Sequence, residues 1–129
     1  MNLETLQRVS ALILARKTPH YKRYLYSKID FTSKLIGIKG ARGTGKSTLL
    51  LQYAKSLDLA PSKILYLSCD HPAMSGVSLY EIAENFYARG GVLLLIDEIH
   101  KSSNFAAELK AIYDVFELQV IFSGSSALQ

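Results

Sequence analysis

The sequence predicts an α/β fold in which helices cover both faces of a parallel β-sheet, with one further helix preceding the sheet. Three observations support this class. Short apolar strands alternate with helical segments from about residue 34 onward, as in parallel sheets with crossover helices. Residues 40–47 form a glycine-rich loop between a strand and a helix. Residues 92–98 form an apolar run that ends in two carboxylates. We therefore expect a three-layer sandwich.

The chain begins with a helix. Apolar residues recur at helical spacing over residues 3–16, and the Thr-Pro pair at 18–19 is expected to end that helix. Residues 20–33 form either a second short helix or an irregular, tyrosine-rich link. We accordingly expect an N-terminal helical, basic segment at 1–33 and a core at 34–129.

The core is expected to contain four strands and three helices. The predicted strands cover about residues 34–39, 63–68, 92–97 and 118–122. The predicted helices cover about residues 46–57, 79–87 and 103–115. A chain of 129 residues suits one domain with a real core.

The glycine-rich loop matches the phosphate-binding pattern G-x-x-x-x-G-K-[ST] at every fixed position, which predicts a P-loop NTPase sandwich. The match is Gly40-Ala41-Arg42-Gly43-Thr44-Gly45-Lys46-Ser47, followed by Thr48. The glycines let backbone N–H groups point at phosphate oxygens. Lys46 is expected to reach the β- and γ-phosphates, and the Ser47 hydroxyl to coordinate Mg²⁺. Arg42 either reaches the γ-phosphate or a neighbouring subunit, or is a solvated side chain.

The second motif is the apolar strand that ends in Asp97 and Glu98. An uninterrupted apolar run is typical of a central parallel strand. Ligand sites of open α/β sheets lie at the carboxyl ends of their strands, so both acids are expected beside the loop. In this Walker B arrangement we expect Asp97 to hold Mg²⁺ through water and Glu98 to position and polarise the attacking water. The alternative is that both acids cap the next helix.

A third candidate lies at the end of the fourth strand, where Ser123-Gly124-Ser125-Ser126 follows. A small hydroxyl residue there can sense the γ-phosphate or orient the water. The alternative is an ordinary serine-glycine turn.

These three segments together resemble the AAA-plus ATPases of bacteria and archaea, in particular the group whose P-loop core precedes a C-terminal domain of unknown function. The resemblance covers roughly residues 34–128. It implies ATP and Mg²⁺ as ligands, catalytic roles for Lys46 and Glu98, and a sensor role for Ser123, with Ser125 as the second choice. It also implies the sheet order 5-1-4-3-2.

The chain departs from that resemblance at its end. Family members continue to a fifth strand, an arginine finger and a helical lid, whereas this sequence stops at Gln129. We therefore expect an incomplete AAA-plus domain, truncated after the fourth core strand, that binds ATP or ADP and hydrolyses slowly by itself. The first strand would then be an exposed edge, which predicts self-association there or a cover formed by residues 1–33.

Charge and cysteine content restrict the partners and the compartment. The net charge is +4, and the excess positive charge precedes the first strand. Residues 1–34 could bind nucleic acid, but a basic face packed on the core is the favoured interpretation. Cys69 is the single cysteine, which suits a reducing cytoplasm. The longest apolar run, residues 92–96, is too short to cross a membrane.

Several functions remain open on the sequence alone. The first is a Mg²⁺-dependent ATPase, and the second is a non-hydrolysing nucleotide-binding fragment or regulatory module. A small P-loop kinase is less favoured because Glu98 after Asp97 fits water activation better. A helicase is less favoured because one domain is too short for the two that helicases use.

Overall fold

The computed structural model describes residues 3–19, 24–40 and 45–125. Within these ranges four strands form one parallel sheet in the order β1-β4-β3-β2. The strands are β1 at Leu35–Lys39, β2 at Ile64–Ser68, β3 at Leu93–Asp97 and β4 at Gln119–Gly124. The predicted α/β class is confirmed, and so is the relative order of the four strands.

Five α-helices accompany the sheet in the described ranges. They are α1 at Leu3–Leu14, α2 at Tyr24–Lys28, α3 at Lys46–Ser56, α4 at Leu79–Ala88 and α5 at Phe105–Val115. Each predicted core boundary lies within two residues of the observed one. The short helix α2 answers the question that the sequence left open between residues 20 and 33.

One boundary difference changes the description of the site. The sequence predicts that the fourth strand ends at residue 122, whereas β4 continues to Gly124. The strand is longer because Ser123 and Gly124 still pair with Ile38 and Lys39 of β1. Ser123 is therefore a buried strand residue and not the first residue of a loop.

The sheet separates two apolar clusters, as a three-layer sandwich requires. The helix α3 packs on one face, where Leu50 contacts a cluster that includes Leu95 of β3. The helices α4 and α5 pack on the other face, where Phe86 and Ile112 join a cluster that includes Ile96. Successive residues of a strand point to opposite faces, so an apolar β3 can fill both clusters.

The N-terminal helix α1 lies along β2, at the far side of the sheet from β1. Leu6 enters one apolar cluster, while Ile13 packs against the other. The Ser10 hydroxyl, which is fully buried, accepts a hydrogen bond of 2.8 Å from the backbone N–H of Tyr66 in β2. One of the two alternatives from the sequence was that residues 1–33 cover the edge of the first strand. This alternative is wrong for α1, because the helix packs on β2 at the opposite edge of the sheet.

The strand β1 has β4 as its only strand neighbour among the described residues. The N–H of Val120 donates to Lys34 O at 2.8 Å, and the N–H of Gly40 donates to Gly124 O at 3.3 Å. In a parallel strand the backbone N–H and C=O groups of every second residue bond to the same neighbouring strand. The backbone groups of the even-numbered residues of β1 therefore point toward β4. The backbone groups of residues 35, 37 and 39 consequently face the outer edge.

The basic N-terminal segment is partly packed on the core. The ring of Tyr26 lies 5.1 Å from that of Phe31, which in turn stacks on Tyr53 at 4.1 Å. Arg8 and Lys17 are exposed, whereas Lys22 and Arg23 lie outside the described residues. Among the helices described, none is long and apolar enough to cross a bilayer.

Candidate functional site

The P-loop connects β1 to α3 at the carboxyl edge of the sheet. Its central residues 41–44 lie outside the described ranges, so the structure supplies its two ends. Gly45 adopts the left-handed conformation with φ 84°, which favours glycine, and the first turn of α3 follows it without a side-chain cap. Lys46 is buried, and its Nζ donates to Gly40 O at 2.6 Å. Both ends of the loop are thus held together by the predicted phosphate-binding lysine.

Asp97 ends β3 and is the centre of the hydrogen-bond network at this edge. It is 3% exposed. Its Oδ2 accepts hydrogen bonds from the Ser47 hydroxyl and from the Tyr66 hydroxyl, the latter at 2.5 Å. Its Oδ1 accepts from the Ser123 hydroxyl and from the backbone N–H of Glu98, the latter at 3.1 Å. Four donors from four parts of the chain therefore orient one carboxylate.

Glu98 follows Asp97 in a backbone conformation that non-glycine residues seldom adopt. Its φ is 53° and its ψ is 46°, in the left-handed region. Its N–H also donates to the Ser123 hydroxyl at 3.3 Å, so β4 helps to hold this turn. The side chain is half-buried. The short 3₁₀ turn Ile99–Lys101 begins directly after it.

His100 connects the Glu98 carboxylate to the end of β4. Its Nδ1 accepts a hydrogen bond of 3.3 Å from the backbone N–H of Ser125. In a neutral imidazole the proton is then on Nε2, and this atom lies 3.4 Å from Oε2 of Glu98. His100 therefore lies between the carboxylate of Glu98 and the backbone at the end of β4.

The two candidate sensor serines differ in their surroundings. Ser123 is fully buried and uses its hydroxyl on Asp97. Ser125 is half-buried and contributes its backbone N–H to His100. Thr48, in the first turn of α3, is half-buried. The structure thus brings Lys46, Ser47, Asp97, Glu98 and Ser123 to one edge of the sheet, as their positions in the sequence predict.

A cleft of about 630 Å³ lies at the same edge, between the loops that follow β2 and β3. Both oxygens of Glu108 are occupied inside it, because they accept from the Ser78 hydroxyl at 2.8 Å and from the N–H of Leu79 at 3.0 Å. The carboxylate of Glu108 therefore accepts hydrogen bonds from the residues that begin α4.

Cys69 also lines this cleft. Burial, with smaller contributions from the charges of Glu108 and Asp97, raises the pKa of the Cys69 thiol to about 12.

Tyr66 is the residue of this site that sequence reasoning missed. It lies in the middle of β2, and burial followed by the charge of Asp97 raises the pKa of its phenol above the usual range. A signal was present, because a buried tyrosine needs a hydrogen-bond partner for its hydroxyl. Since β2 and β3 are neighbours in the predicted order, the carboxylate at the end of β3 was the nearest candidate.

Comparison with known proteins agrees with the observed fold. A family model described as an AAA domain matches residues 32–129. An uncharacterised protein of Methanocaldococcus jannaschii, MJ1637, is 33% identical over 137 residues. That alignment covers 92% of this chain and 29% of the relative, so the chain spans less than a third of that protein's length.

Solved structures with the same fold include three that the chain matches at a TM-score of 0.50. AMPPCP-bound DnaA from Aquifex aeolicus is 22% identical, with 96% of this chain and 41% of that chain covered. A DNA replication initiation factor is 21% identical over the same shares. PCH-2 of C. elegans is 21% identical, with 98% and 36% covered. Identities this low show a shared fold.

Proposed function

Since the chain belongs to the AAA domain family, we propose that it binds ATP or ADP together with Mg²⁺ and that the complete protein hydrolyses ATP. The observation that carries this proposal is the hydrogen bond between Ser47, at the start of α3, and Asp97, at the end of β3. It brings the last residue of the P-loop and the first acid of the Walker B segment to one point. Two motifs that are far apart in sequence thereby form one site.

The phosphate groups are proposed to bind at the N-terminus of α3. The N–H groups of its first turn have no side-chain cap, and the helix dipole favours an anion at that position. The amine of Lys46 lies at the loop and bonds to the carbonyl of Gly40. On nucleotide binding we expect this amine to exchange the carbonyl for phosphate oxygens, because a charged acceptor makes the stronger hydrogen bond.

The donor set at Ser47 and Asp97 fits Mg²⁺. Magnesium prefers oxygen ligands and usually binds proteins through one or two side chains, keeping waters and substrate phosphates for the rest. Ser47 is exposed, whereas Asp97 is buried and already accepts four hydrogen bonds. A carboxylate held in this way suits binding through water. When bound, the ion would neutralise charge on the phosphates.

Glu98 is proposed to polarise the water that attacks the γ-phosphate. Glu98 adopts a left-handed backbone conformation directly after Asp97, and its N–H bonds to Asp97 and Ser123 hold that conformation. A general base acts within hydrogen-bond reach of the proton that it accepts. His100 faces the same carboxylate, so its Nε2 is in a position to orient it.

Ser123 is proposed to act by orienting Asp97 and the turn at Glu98. Its hydroxyl donates to Asp97 Oδ1 and accepts from the N–H of Glu98. Because the residue is fully buried, we do not propose direct contact with the γ-phosphate.

The site is expected to work in the cytoplasm, where a single cysteine such as Cys69 stays reduced.

The test measures ATP affinity by calorimetry, with and without Mg²⁺, for the parent chain and two lysine variants. Lys46→Ala removes the phosphate-binding amine and is expected to abolish binding. Lys63→Ala removes the same charge at the amino end of β2, far from the P-loop, and is the matched control. Binding by the parent and by Lys63→Ala is expected. A parent that binds no nucleotide, or a Lys46→Ala variant that binds as tightly, would contradict the proposal.

A further inference from the structure

The phenol of Tyr66 links the N-terminal helix to the aspartate at the centre of the site. The side chain is 7% exposed, and its hydroxyl donates to Asp97 Oδ2 at 2.5 Å. The backbone N–H of the same residue donates to the buried Ser10 hydroxyl of α1 at 2.8 Å. Residue 66 is therefore fixed from both sides, by α1 at its backbone and by Asp97 at its ring.

The register of the sheet explains why the two groups meet. Tyr66 pairs with Leu95 in the parallel ladder, and Asp97 lies two residues further along β3 on the same face. The Tyr66 ring belongs to the α3-side cluster, which is the face from which Ser47 approaches. The ring spans the two-residue offset and brings its hydroxyl to the oxygen that Ser47 also contacts.

We infer that Tyr66 is a positioning residue for Asp97, holding its carboxylate in one orientation at the site proposed for Mg²⁺, and that α1 supports Tyr66 through Ser10. The inference rests on the proposed function. Groups that hydrogen-bond a metal-binding carboxylate fix its direction, and their loss typically lowers metal affinity or activity about 10–100-fold. The helix α1 precedes the residues that match the AAA domain, so the inference extends the site beyond the matched segment.

The chain offers a matched control in Tyr53. Its side chain is 8% exposed, and its hydroxyl donates to Gln119 Oε1 at 2.9 Å. Tyr66→Phe and Tyr53→Phe each remove one hydroxyl from a buried ring and keep the ring itself. A general loss of stability affects both variants, whereas a change in the metal site is expected in Tyr66→Phe alone.

The first measurement is the factor by which Mg²⁺ increases ATP affinity. We expect this factor to fall about tenfold or more in Tyr66→Phe and to stay at the parent value in Tyr53→Phe. Equal factors in the two variants would overturn the inference. A parent chain without Mg²⁺-dependent ATP binding would instead contradict the proposed function, so the two failures are distinguishable.

The second measurement needs no nucleotide. The ¹³C chemical shift of the Asp97 carboxyl carbon is expected to move in Tyr66→Phe, to move less and in the same direction in Ser10→Ala, and to stay constant in Tyr53→Phe. A constant Asp97 shift in Tyr66→Phe would overturn the inference.

A third measurement uses the parent chain and does not depend on any variant folding. In mixed H₂O and D₂O a slowly exchanging tyrosine hydroxyl splits its Cζ resonance by the isotope effect. Because the Tyr66 hydroxyl is buried on a carboxylate, we expect its Cζ signal to be split. A single averaged signal for Tyr66 would show that the hydroxyl is not held, and would overturn the inference.

Discussion

Ser47 and Asp97 hydrogen-bond to each other at the carboxyl edge of the sheet, although one begins α3 and the other ends β3. Neither residue reaches this point by local structure alone. The strand order places β4 between β1 and β3, so Ser47 and Asp97 meet although the strands that precede them in the chain and contain them are not neighbours. The contact therefore depends on the sheet as a whole.

Replacing Asp97 by Asn is expected to weaken the Mg²⁺-dependent part of ATP affinity. The amide has one acceptor oxygen and no charge, so it cannot hold the ion's water shell as a carboxylate does. We expect the gain in affinity on adding Mg²⁺ to fall about tenfold or more. Asp58→Asn is the control, because Asp58 is exposed and its φ of 51° suits asparagine. Equal Mg²⁺ dependence in both variants would be inconsistent with a metal role for Asp97.

Replacing Glu98 by Gln is expected to keep nucleotide binding and to remove hydrolysis. The amide cannot accept a proton from water, and loss of a general base typically costs about 10²–10⁴ in rate. The measurement is single-turnover hydrolysis by the complete protein, with Glu84→Gln on the exposed side of α4 as the control. Unchanged hydrolysis in Glu98→Gln would exclude it as the base. A complete protein that binds ATP without hydrolysing it would instead support the second candidate function, a non-hydrolysing nucleotide-binding module.

Replacing Ser10 by Ala is expected to destabilise the fold. The Ser10 hydroxyl accepts the N–H of Tyr66 in a fully buried position, and a buried donor left without a partner costs about 1–3 kcal/mol. Urea unfolding followed by circular dichroism measures the change in the free energy of unfolding. Ser75→Ala, in an exposed loop position, serves as the control. Equal stability of the two variants would mean that α1 does not protect the β2 edge.

The outer edge of β1 is expected to pair with a second copy of the chain. An exposed strand edge offers unpaired backbone groups. On β1 these belong to residues 35, 37 and 39, because the even-numbered residues bond to β4. Their amides should exchange more slowly as protein concentration rises, while those of Ile36 and Ile38, which face β4, stay protected throughout. Light scattering over the same series should show growing mass. A monomer with concentration-independent exchange at the outer amides would refute pairing at this edge.

The Cys69 thiol is expected to be unreactive in the folded protein. Its pKa is raised from 9.0 to about 12, so the thiolate fraction near pH 8 falls about 1000-fold. Iodoacetamide should therefore modify the folded chain far more slowly than the chain in urea.

The raised pKa of Cys69 also predicts how stability depends on pH. The folded state binds the thiol proton more tightly than the unfolded state does. The contribution of this thiol to the free energy of unfolding is therefore complete below pH 9 and is lost as the pH rises toward 12. The parent should lose more stability over that interval than Cys69→Ala; equal losses would contradict the raised pKa.

The local elements and the two main motifs could be predicted from the sequence because each depends on nearby residues. Apolar strands alternate with amphipathic helices, and the acids follow directly after an apolar run at residues 92–96. In a parallel sheet these facts already place Lys46, Ser47, Asp97 and Glu98 on one edge. The observed positions of all four agree with that reasoning.

The tertiary structure decided which side chains surround those residues. Ser123 belongs to β4 because β1 extends far enough to pair with it, at Ile38. Tyr66 reaches Asp97 because β2 lies beside β3 in a particular register, and Ser10 reaches Tyr66 because α1 packs on that edge. No short pattern in the sequence encodes these contacts, since each depends on which strands are neighbours and on the distance that one side chain can span.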